Sequence, residues 1–445
     1  MKNKEKLNNK PPNIFIIGQC TLHWGRMEFG NIGNFYIMEP FFDELNRVFP
    51  NATIKTTFQM SITFCKKHNI TCLPMDFYYG WKSNDLDIAK EEYQIALEYQ
   101  KTQRLSKKTP YINEVINSDL IIDFSGDIWG DNANFLGENR FEVGLYKNLT
   151  AQTLNKKIVM LAGSPGPFNN KKTKSLAKQT FEGFDLVTVR EPKSLDVLKQ
   201  YDFKLNNVKS LACPAFLFKE SKKINTAEIF KSVPNSKLEK PIIGFLICGW
   251  NFKNGPFDKW PRNDYDYYEF SETIKAFINK YNVRFCLMSH SNGFPIPPKK
   301  FKLIHGRDYP IIKQLEQILM AQGLSDHIFS IDTINDAWTT KKILGQFDMV
   351  VSGRVHAAVA ALSQKVPTVI IDYGHKPKAH KLQGFADLVE ITEYIAKPTK
   401  ENLLSTMTEA WENKVAYQHH LSEKIDHVQS QAKLNFDLLK DIIQK

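Results

Sequence analysis

The chain has 445 residues, of which 42% are hydrophobic and 24% are charged, a composition typical of globular proteins. This length exceeds what one ordinary hydrophobic core covers, so we expect two domains. No run of the sequence reaches the roughly 18 to 20 consecutive apolar residues of a membrane span. The apolar run at residues 14–17 is also far too short for the core of a signal peptide, so we expect a cytoplasmic protein.

The formal net charge of +11 favours anionic partners. The lysines are spread along the chain without a nucleic-acid-binding signature, so we expect no nucleic acid, whereas a small anionic substrate fits the charge. The charge also permits weak association with an acidic membrane surface. The six cysteines form no CxxC pair, and no histidines or carboxylates cluster at metal-ligand spacing, so we expect reduced structural thiols and no metal.

The first half of the sequence alternates strand and helix patterns. A short apolar run from Asn13 predicts a buried strand that ends at Gly18. A glycine turn, a helix with apolar residues at helical spacing and a second strand after Pro50 follow it. Three further strands are predicted at residues 119–124, 157–162 and 186–189, with a charged outer helix at residues 86–107.

The second half begins after a polar, lysine-rich segment at residues 219–240, which predicts an interdomain connection. Strands are predicted at residues 242–248, around 283–291, at 349–352 and at 366–372, with helices at 269–280, 308–322 and 337–345. Such alternation predicts an α/β protein with two Rossmann-like domains facing across a cleft. We expect these domains at residues 1–220 and 241–397, followed by a helical segment at residues 398–445.

Polar residues after predicted strands are candidates for the site, because ligands of such sheets bind beyond the carboxyl ends of the strands. Ser125, Gly126 and Asp127 would let a ligand approach the backbone and would bind its hydroxyl groups, although an ordinary turn explains them equally well. Gly163 and Ser164 would present backbone N–H groups to an anion, or would simply form a rigid turn with the prolines that follow.

Charged and titratable residues stand at the ends of three more strands. Arg190 precedes a helix and suits a carboxylate or phosphate, with a surface salt bridge as the alternative. His290 follows an apolar strand, where a structural role is the more frequent one. Arg354 and His356 begin an alanine-rich helix whose N-terminus favours an anion and a neutral imidazole, and Lys376 follows the next strand.

The segment SGRVHAAVAALSQKVPTVIIDYGHK, followed by QGFADL, resembles the C-terminal signature of the polysaccharide pyruvyl transferases. In that signature a strand leads to an Arg-x-His pair, a small-residue helix, a Pro-led strand and a Tyr-x-x-Lys. The likeness extends over most of the chain, since further motifs follow in the family's order: GNIGN, DFSGDIWGDN, LAGSPGPF, VREPKSLDVL and the turn at Pro214-Ala215.

The resemblance implies a two-lobed fold like that of the GT-B glycosyltransferases and a role in the synthesis of exopolysaccharide or another cell-surface glycan. It implies transfer of pyruvate from phosphoenolpyruvate to a pair of hydroxyls of a saccharide acceptor, such as a lipid-linked one, to give a ketal and phosphate without a cofactor. By the same resemblance, Arg190, Arg354 and His356 serve the donor and the chemistry. The family often has Gly-Asp at Gly33-Asn34, a run of glycines at Ser125-Gly126-Asp127 and aspartate at Cys213, departures that concern the acceptor side more than the donor side.

The residues themselves agree with this reading, because phosphoenolpyruvate has two anionic groups and two arginines with a helix N-terminus would bind them. His356 would act as acid or base, and the sequence leaves that choice open. The aromatic insertion at residues 251–270 is hypothesised to reach the acceptor. The alternatives are a GT-B-type glycosyltransferase using a nucleotide sugar, disfavoured by the lack of glutamate at residues 354–376, and a non-catalytic glycan- or metabolite-binding protein.

Overall fold

The fold is built on two parallel β-sheets, one in each half of the chain. The computed structural model of the protein describes residues 10–18, 24–220, 230, 239–253, 259–373 and 379–444. The first sheet comprises β1 (Asn13–Ile17), β2 (Thr53–Thr56), β3 (Ile70–Cys72), β4 (Leu120–Asp123), β5 (Ile158–Gly163), β6 (Leu186–Val189) and β7 (Val208–Ser210). We call the half of the molecule built on this sheet the N-terminal lobe.

The second sheet is built in the same way and defines the C-terminal lobe. It comprises β8 (Ile242–Leu246), β9 (Arg284–Leu287), β12 (Ile328–Ser330), β13 (Met349–Ser352), β14 (Thr368–Ile371) and β15 (Ile395–Ala396), while β10 (Asn292–Gly293) and β11 (Ile304–His305) form a separate small hairpin. Both sheets are doubly wound, with the orders β3-β2-β1-β4-β5-β6-β7 and β12-β9-β8-β13-β14-β15. The strand order therefore reverses between β1 and β4 and between β8 and β13, where ligands of such sheets bind.

Helices cover both faces of each sheet. Those of the N-terminal lobe are α1 (Ile32–Val48), α2 (Ile62–His68), α3 (Asp85–Thr102), α4 (Pro110–Ile116), α5 (Arg140–Thr153), α6 (Lys171–Glu182) and α7 (Lys193–Gln200). Those that follow are α8 (Tyr268–Tyr281), α9 (Asp308–Ala321), α10 (Ala337–Leu344), α11 (Val355–Leu362), α12 (Ala379–Val389), α13 (Lys400–Glu412) and α14 (Lys414–Gln444). None of these described helices is both long enough and apolar enough to cross a lipid bilayer.

Helix α1 lies between the two lobes and is buried on nearly every side. The side chain of Asn31 caps its N-terminus by accepting a hydrogen bond from the Gly33 N–H at 3.1 Å. Phe35 and Tyr36 contact Phe218, and Phe41 stacks on Phe124 at a centroid distance of 4.1 Å. The apolar side chains of α1 are buried along most of its length, so α1 sits within one apolar core shared by both lobes.

The last helix, α14, runs across both lobes. Near its start, the Tyr417 hydroxyl donates to the Thr368 carbonyl at 2.9 Å beside the second sheet. Near its end, the fully buried Asn435 donates to the Ala212 carbonyl at 2.9 Å and accepts from the Thr188 hydroxyl at 2.6 Å beside the first sheet. The polar C-terminal segment thus folds back onto the whole molecule.

The sequence patterns found the long elements and missed the shortest ones. The predicted α/β class is confirmed by the two parallel sheets. The helix predicted to run to residue 107 ends at Thr102, because Gln103 adopts a left-handed conformation with φ of 56°. Most of the predicted connection at residues 219–240 lies outside the described residues.

We expect Asn435→Ala to lower the free energy of unfolding by about 2 kcal/mol, because it leaves the buried Thr188 hydroxyl and Ala212 carbonyl without this partner. Urea denaturation followed by circular dichroism measures the change. Lys433→Ala, on an exposed position of the same helix, is the matched control and should change the free energy by less than about 0.5 kcal/mol. Equal stabilities of the two variants would contradict the anchoring role of Asn435.

Candidate active site

The Arg-x-His pair lies at the switch point of the second sheet, directly after β13. The N–H of Arg354 donates to the Ser352 hydroxyl at 3.0 Å, and Arg354 then forms the N-cap of α11, so His356 falls in the first helical turn. Ala357, Ala358, Ala360 and Ala361 are buried, and their small side chains let α11 pack closely. The pair is therefore held on a rigid element.

Arg354 is fixed by a buried carboxylate. Its Nε donates to Oδ2 of Asp308 at 3.0 Å, and its Nη2 bonds the other carboxylate oxygen, which makes a two-point ion pair. Burial alone would lower the pKa of the guanidinium, but the charge of Asp308 outweighs it and raises the pKa. Arg354 therefore stays charged, and its Nη1 is the group left for a ligand.

His356 packs against the N-terminal lobe at Gly33. A Cβ atom on Gly33 would lie 2.7 Å from Cβ of His356 and 2.8 Å from its Nδ1, so only glycine fits there. The Nε2 atom of His356 is buried and has no hydrogen-bond partner within the described part of the protein. Burial, followed by the charge of Arg190, lowers the pKa of His356 to about 3, so the imidazole is neutral at pH 7.

His290 is a second neutral histidine beside the pair. Its ring lies edge-on to Tyr36 at a centroid distance of 5.3 Å, and neither ring nitrogen has a partner among the described residues. Burial, reinforced by the charge of Arg354, lowers its pKa well below the usual value. The buried ring is therefore also uncharged.

Arg190 approaches from the N-terminal lobe, where it directly follows β6. Its Nε donates to the Ser164 hydroxyl at 2.9 Å, and that hydroxyl donates to Glu191 at 2.6 Å. The backbone N–H of Arg190 donates to the Gly163 carbonyl at 3.0 Å, and the backbone N–H of Ser164 donates to the Gly126 carbonyl at 2.8 Å. Gly126, Gly163 and Ser164 thus position Arg190 and do not line the cavity described below.

Asp127 joins the two lobes at the switch point of the first sheet. Its carboxylate lies 3.9 Å from Nη2 of Arg190 and forms an ion pair with the buried Lys381 at the start of α12. The neighbouring Ser125 is buried and donates to Asp123, whose pKa burial raises to about 6. Ser125 therefore supports the turn that presents Asp127.

These side chains converge on a small cavity, which we call the interlobe cavity. Its volume is about 130 Å³. It is lined by Asn31, Asn34, Asp127, Arg190, Trp250, His290, Arg354, Val355, His356, Tyr373 and Lys381. The cavity combines arginine and lysine cations with two neutral histidines at the meeting point of both lobes.

The cavity contains some of the predicted site residues and others that sequence reasoning missed. Asp127, Arg190, His290, Arg354 and His356 line it together, whereas Lys376 lies outside the described residues. The lysine predicted at this edge is Lys376, whereas Lys381, which lies on the helix after the predicted motif, is not among the predicted site residues. Asn31 and Trp250 are not among the predicted site residues either, although Asn31 lies in the GNIGN motif and Trp250 closely follows β8.

In the aromatic insertion at residues 251–270, the two aromatic side chains best suited to stack on a sugar ring do not line this cavity. Trp260 and Tyr265 are exposed and are not among the residues that line it. Arg262 instead lies over the ring of Phe252 at 4.2 Å, and residues 254–258 lie outside the described ranges. The acceptor role of this insertion stays a hypothesis.

Comparison with known proteins assigns the fold and the family. A family model described as polysaccharide pyruvyl transferase matches residues 31–375. A search of curated proteins finds no significant match. A glycosyltransferase from Rickettsia africae ESF-5 is similar in structure, with a TM-score of 0.58 and 11% identity over 98% of this chain and 100% of that chain. Alr3699/HepE from Anabaena in complex with UDP has a TM-score of 0.54 and 12% identity over 97% of both chains. UDP-GlcNAc 2-epimerase from Neisseria meningitidis bound to UDP-GlcNAc has a TM-score of 0.54 and 10% identity over 97% of this chain and 100% of that chain.

The predicted GT-B-like architecture is confirmed by these structural neighbours. Because their sequence identity to this chain is low, the likeness shows the fold and nothing more. The family resemblance is confirmed by the matched region, which begins at Asn31 and includes every described residue that lines the interlobe cavity except Lys381. The chain belongs to the polysaccharide pyruvyl transferase family.

Proposed function

We propose that this protein transfers pyruvate from phosphoenolpyruvate to two hydroxyls of a saccharide acceptor, giving a ketal and releasing phosphate. The observation that carries the proposal is the interlobe cavity, in which Arg190, Arg354 and Lys381 surround a neutral His356. Such a set of cations suits a small metabolite with two anionic groups and leaves an uncharged imidazole for proton transfer.

The donor's two anionic groups match the available cations. Asp308 occupies Nε and Nη2 of Arg354, and Ser164 occupies Nε of Arg190, so each arginine keeps N–H donors that can face a ligand. The N-terminus of α11 adds backbone N–H groups beside Arg354. We assign the phosphate and carboxylate of phosphoenolpyruvate to these donors, and Lys381, which pairs with Asp127, is a further cation at the edge of the site.

His356 is the proposed proton carrier. A neutral imidazole can take the proton of the first attacking hydroxyl and deliver it to the methylene carbon of phosphoenolpyruvate, which becomes the methyl group. The hydroxyl oxygen bonds the adjacent carbon in the same addition. The second hydroxyl then bonds that carbon as the C–O bond to phosphate breaks, and its proton leaves with the phosphate. Both hydroxyl protons are accounted for, with no external reductant or oxidant.

The size of the cavity supports this donor over a nucleotide sugar. Its volume of about 130 Å³ is well below the roughly 300 to 1,000 Å³ typical of pockets for larger ligands. The solved structures with UDP or UDP-GlcNAc share only the fold with this chain at 10–12% identity. The interlobe cavity by itself therefore suits a small dianionic donor, whereas a nucleotide sugar would also have to occupy the adjoining space lined by Arg26 and Arg307.

We expect His356→Asn to lower the rate of phosphate release from phosphoenolpyruvate plus acceptor by about a hundredfold or more, because proton transfer is lost. Binding of phosphoenolpyruvate, measured by calorimetry, should stay within about threefold, since the arginines remain. His419→Asn, which changes an exposed histidine on α14, is the matched control and should behave as the unchanged protein.

The same assay separates the alternative functions. It is run on a panel of saccharide acceptors with phosphoenolpyruvate and, separately, with nucleotide sugars. Phosphate release only with phosphoenolpyruvate supports the pyruvyl transfer. Turnover of a nucleotide sugar would identify a glycosyltransferase instead, and binding without turnover of either donor would identify a binding protein.

Gly33→Ala should reduce phosphate release by about a hundredfold, because the new Cβ would lie 2.7 Å from the side chain of His356 and displace the imidazole by a large fraction of an ångström. Gly345→Ala is the matched control, since its Cβ would meet only the end of the flexible Gln364 side chain. Thermal unfolding checks that both variants fold. A fully active Gly33→Ala protein would show that the imidazole position is not restricted by this contact.

The depressed pKa of His356 predicts a pH dependence of stability. The unfolded imidazole, with a pKa near 6.5, takes up a proton as the pH falls below 6.5, whereas the folded one resists protonation down to about pH 3. Stability is therefore lost as the pH falls through this window. Between pH 6.5 and pH 5.0, the loss of unfolding free energy should be smaller in His356→Asn by about 1.6 kcal/mol. An unchanged loss in urea denaturation would contradict a neutral buried imidazole.

A further inference from the structure

A second cavity adjoins the interlobe cavity and is also formed by both lobes. Its volume is about 320 Å³, and its lining includes Arg26, Asn31, Ser291, Arg307 and Arg354. Asn31 and Arg354 line both cavities, so a ligand in one lies next to a ligand in the other. The lobes meet here, where Asn31 and Ser291 form an antiparallel β-bridge.

Positive charge dominates this second cavity, which we call the arginine pocket. Burial, followed by the charges of Arg307 and Arg354, lowers the pKa of Arg26 to about 10, so the guanidinium group of Arg26 lies close enough to both other arginines to be affected by their charges. No carboxylate is found among the described residues that line the pocket. Asp308 nearby is engaged by Arg354, and Arg26 has no ion-pair partner in the described ranges.

Asp308 compensates the charge of Arg354, so Arg26 is the partly buried cation whose charge lowers the stability of the protein unless an anion binds beside it. Such unfavourable arrangements are typical of ligand sites. The guanidinium group of arginine binds planar carboxylates and tetrahedral phosphates through two hydrogen bonds at once. The pocket is thus suited to an oxyanion.

We propose that the arginine pocket binds an oxyanion, a phosphate or a carboxylate, carried by the acceptor saccharide. This inference rests on the proposed function, because the two anionic groups of the donor are already assigned to the interlobe cavity. The oxyanion that enters the arginine pocket then belongs to the second substrate. The shared Arg354 and Asn31 place its sugar ring beside the cavity that contains His356. The protein therefore selects acidic over neutral acceptors.

The test measures binding by isothermal titration calorimetry on the full chain. N-acetylglucosamine 1-phosphate, glucuronate and neutral methyl glucoside serve as probes, each titrated in the presence of saturating phosphoenolpyruvate. We expect at least one acidic probe to bind together with the donor, at least about tenfold more tightly than methyl glucoside. A preference for the sugar phosphate indicates phosphate as the natural group, and a preference for glucuronate indicates a carboxylate.

The variants Arg26→Gln and Arg307→Gln should each weaken binding of the acidic probe by about tenfold while phosphoenolpyruvate affinity changes by less than about threefold. Because Arg307 is exposed, its substitution should leave the fold intact. The Arg307 variant therefore tests the pocket even if the Arg26 variant does not fold. Arg104→Gln, on an exposed arginine beyond α3, is the matched control and should change neither affinity.

Three outcomes would overturn the inference alone: competition of the acidic probes with phosphoenolpyruvate, equal or absent binding of acidic and neutral probes, or unchanged binding in the folded variants. In each of these, phosphoenolpyruvate still binds and the proposed donor stands. If phosphoenolpyruvate itself does not bind the unchanged protein, the proposed function fails, and the acceptor assignment fails with it.

Discussion

The close contact between the His356 side chain and the backbone of Gly33 joins the two lobes at the centre of the candidate site. Only a residue without a side chain leaves room for the ring, and Asn31 fixes the same turn by capping α1. The GNIGN segment and the Arg-x-His pair are far apart in sequence, yet each defines the position of the other. The interlobe cavity exists because these two segments touch there.

Burial and ion pairing then decide which groups of the site are charged. Arg354 keeps its charge because Asp308 accompanies it into the interior, whereas His290 and His356 have no such partner and become neutral. Neutral rings do not repel the neighbouring cations or compete with them for an anion. Under the proposed function, anion binding and proton transfer would therefore take place side by side in one cavity.

Sequence reasoning found the residues that follow strands and missed those that arrive through packing. Arg190, Arg354 and His356 stand at strand ends, where the edge of a parallel sheet can be predicted. Asp308 and Lys381 begin helices whose placement depends on the tertiary fold, so their sequence context shows nothing unusual. The sequence also does not show in which direction a side chain points. Ser164, for example, accepts a hydrogen bond from Arg190 and does not line the cavity. Strands as short as β7 and β12 have too few residues for an alternating pattern to appear.

The course of α14 has a consequence for how substrates enter the site. A single helix of 31 residues is fastened to the C-terminal lobe near Tyr417 and to the N-terminal lobe near Asn435. A wide hinge opening of the lobes would have to bend this helix or break its buried hydrogen bonds. The helix therefore braces the two lobes against such an opening, which would favour entry of a ligand through local rearrangement at the mouth of the cavity.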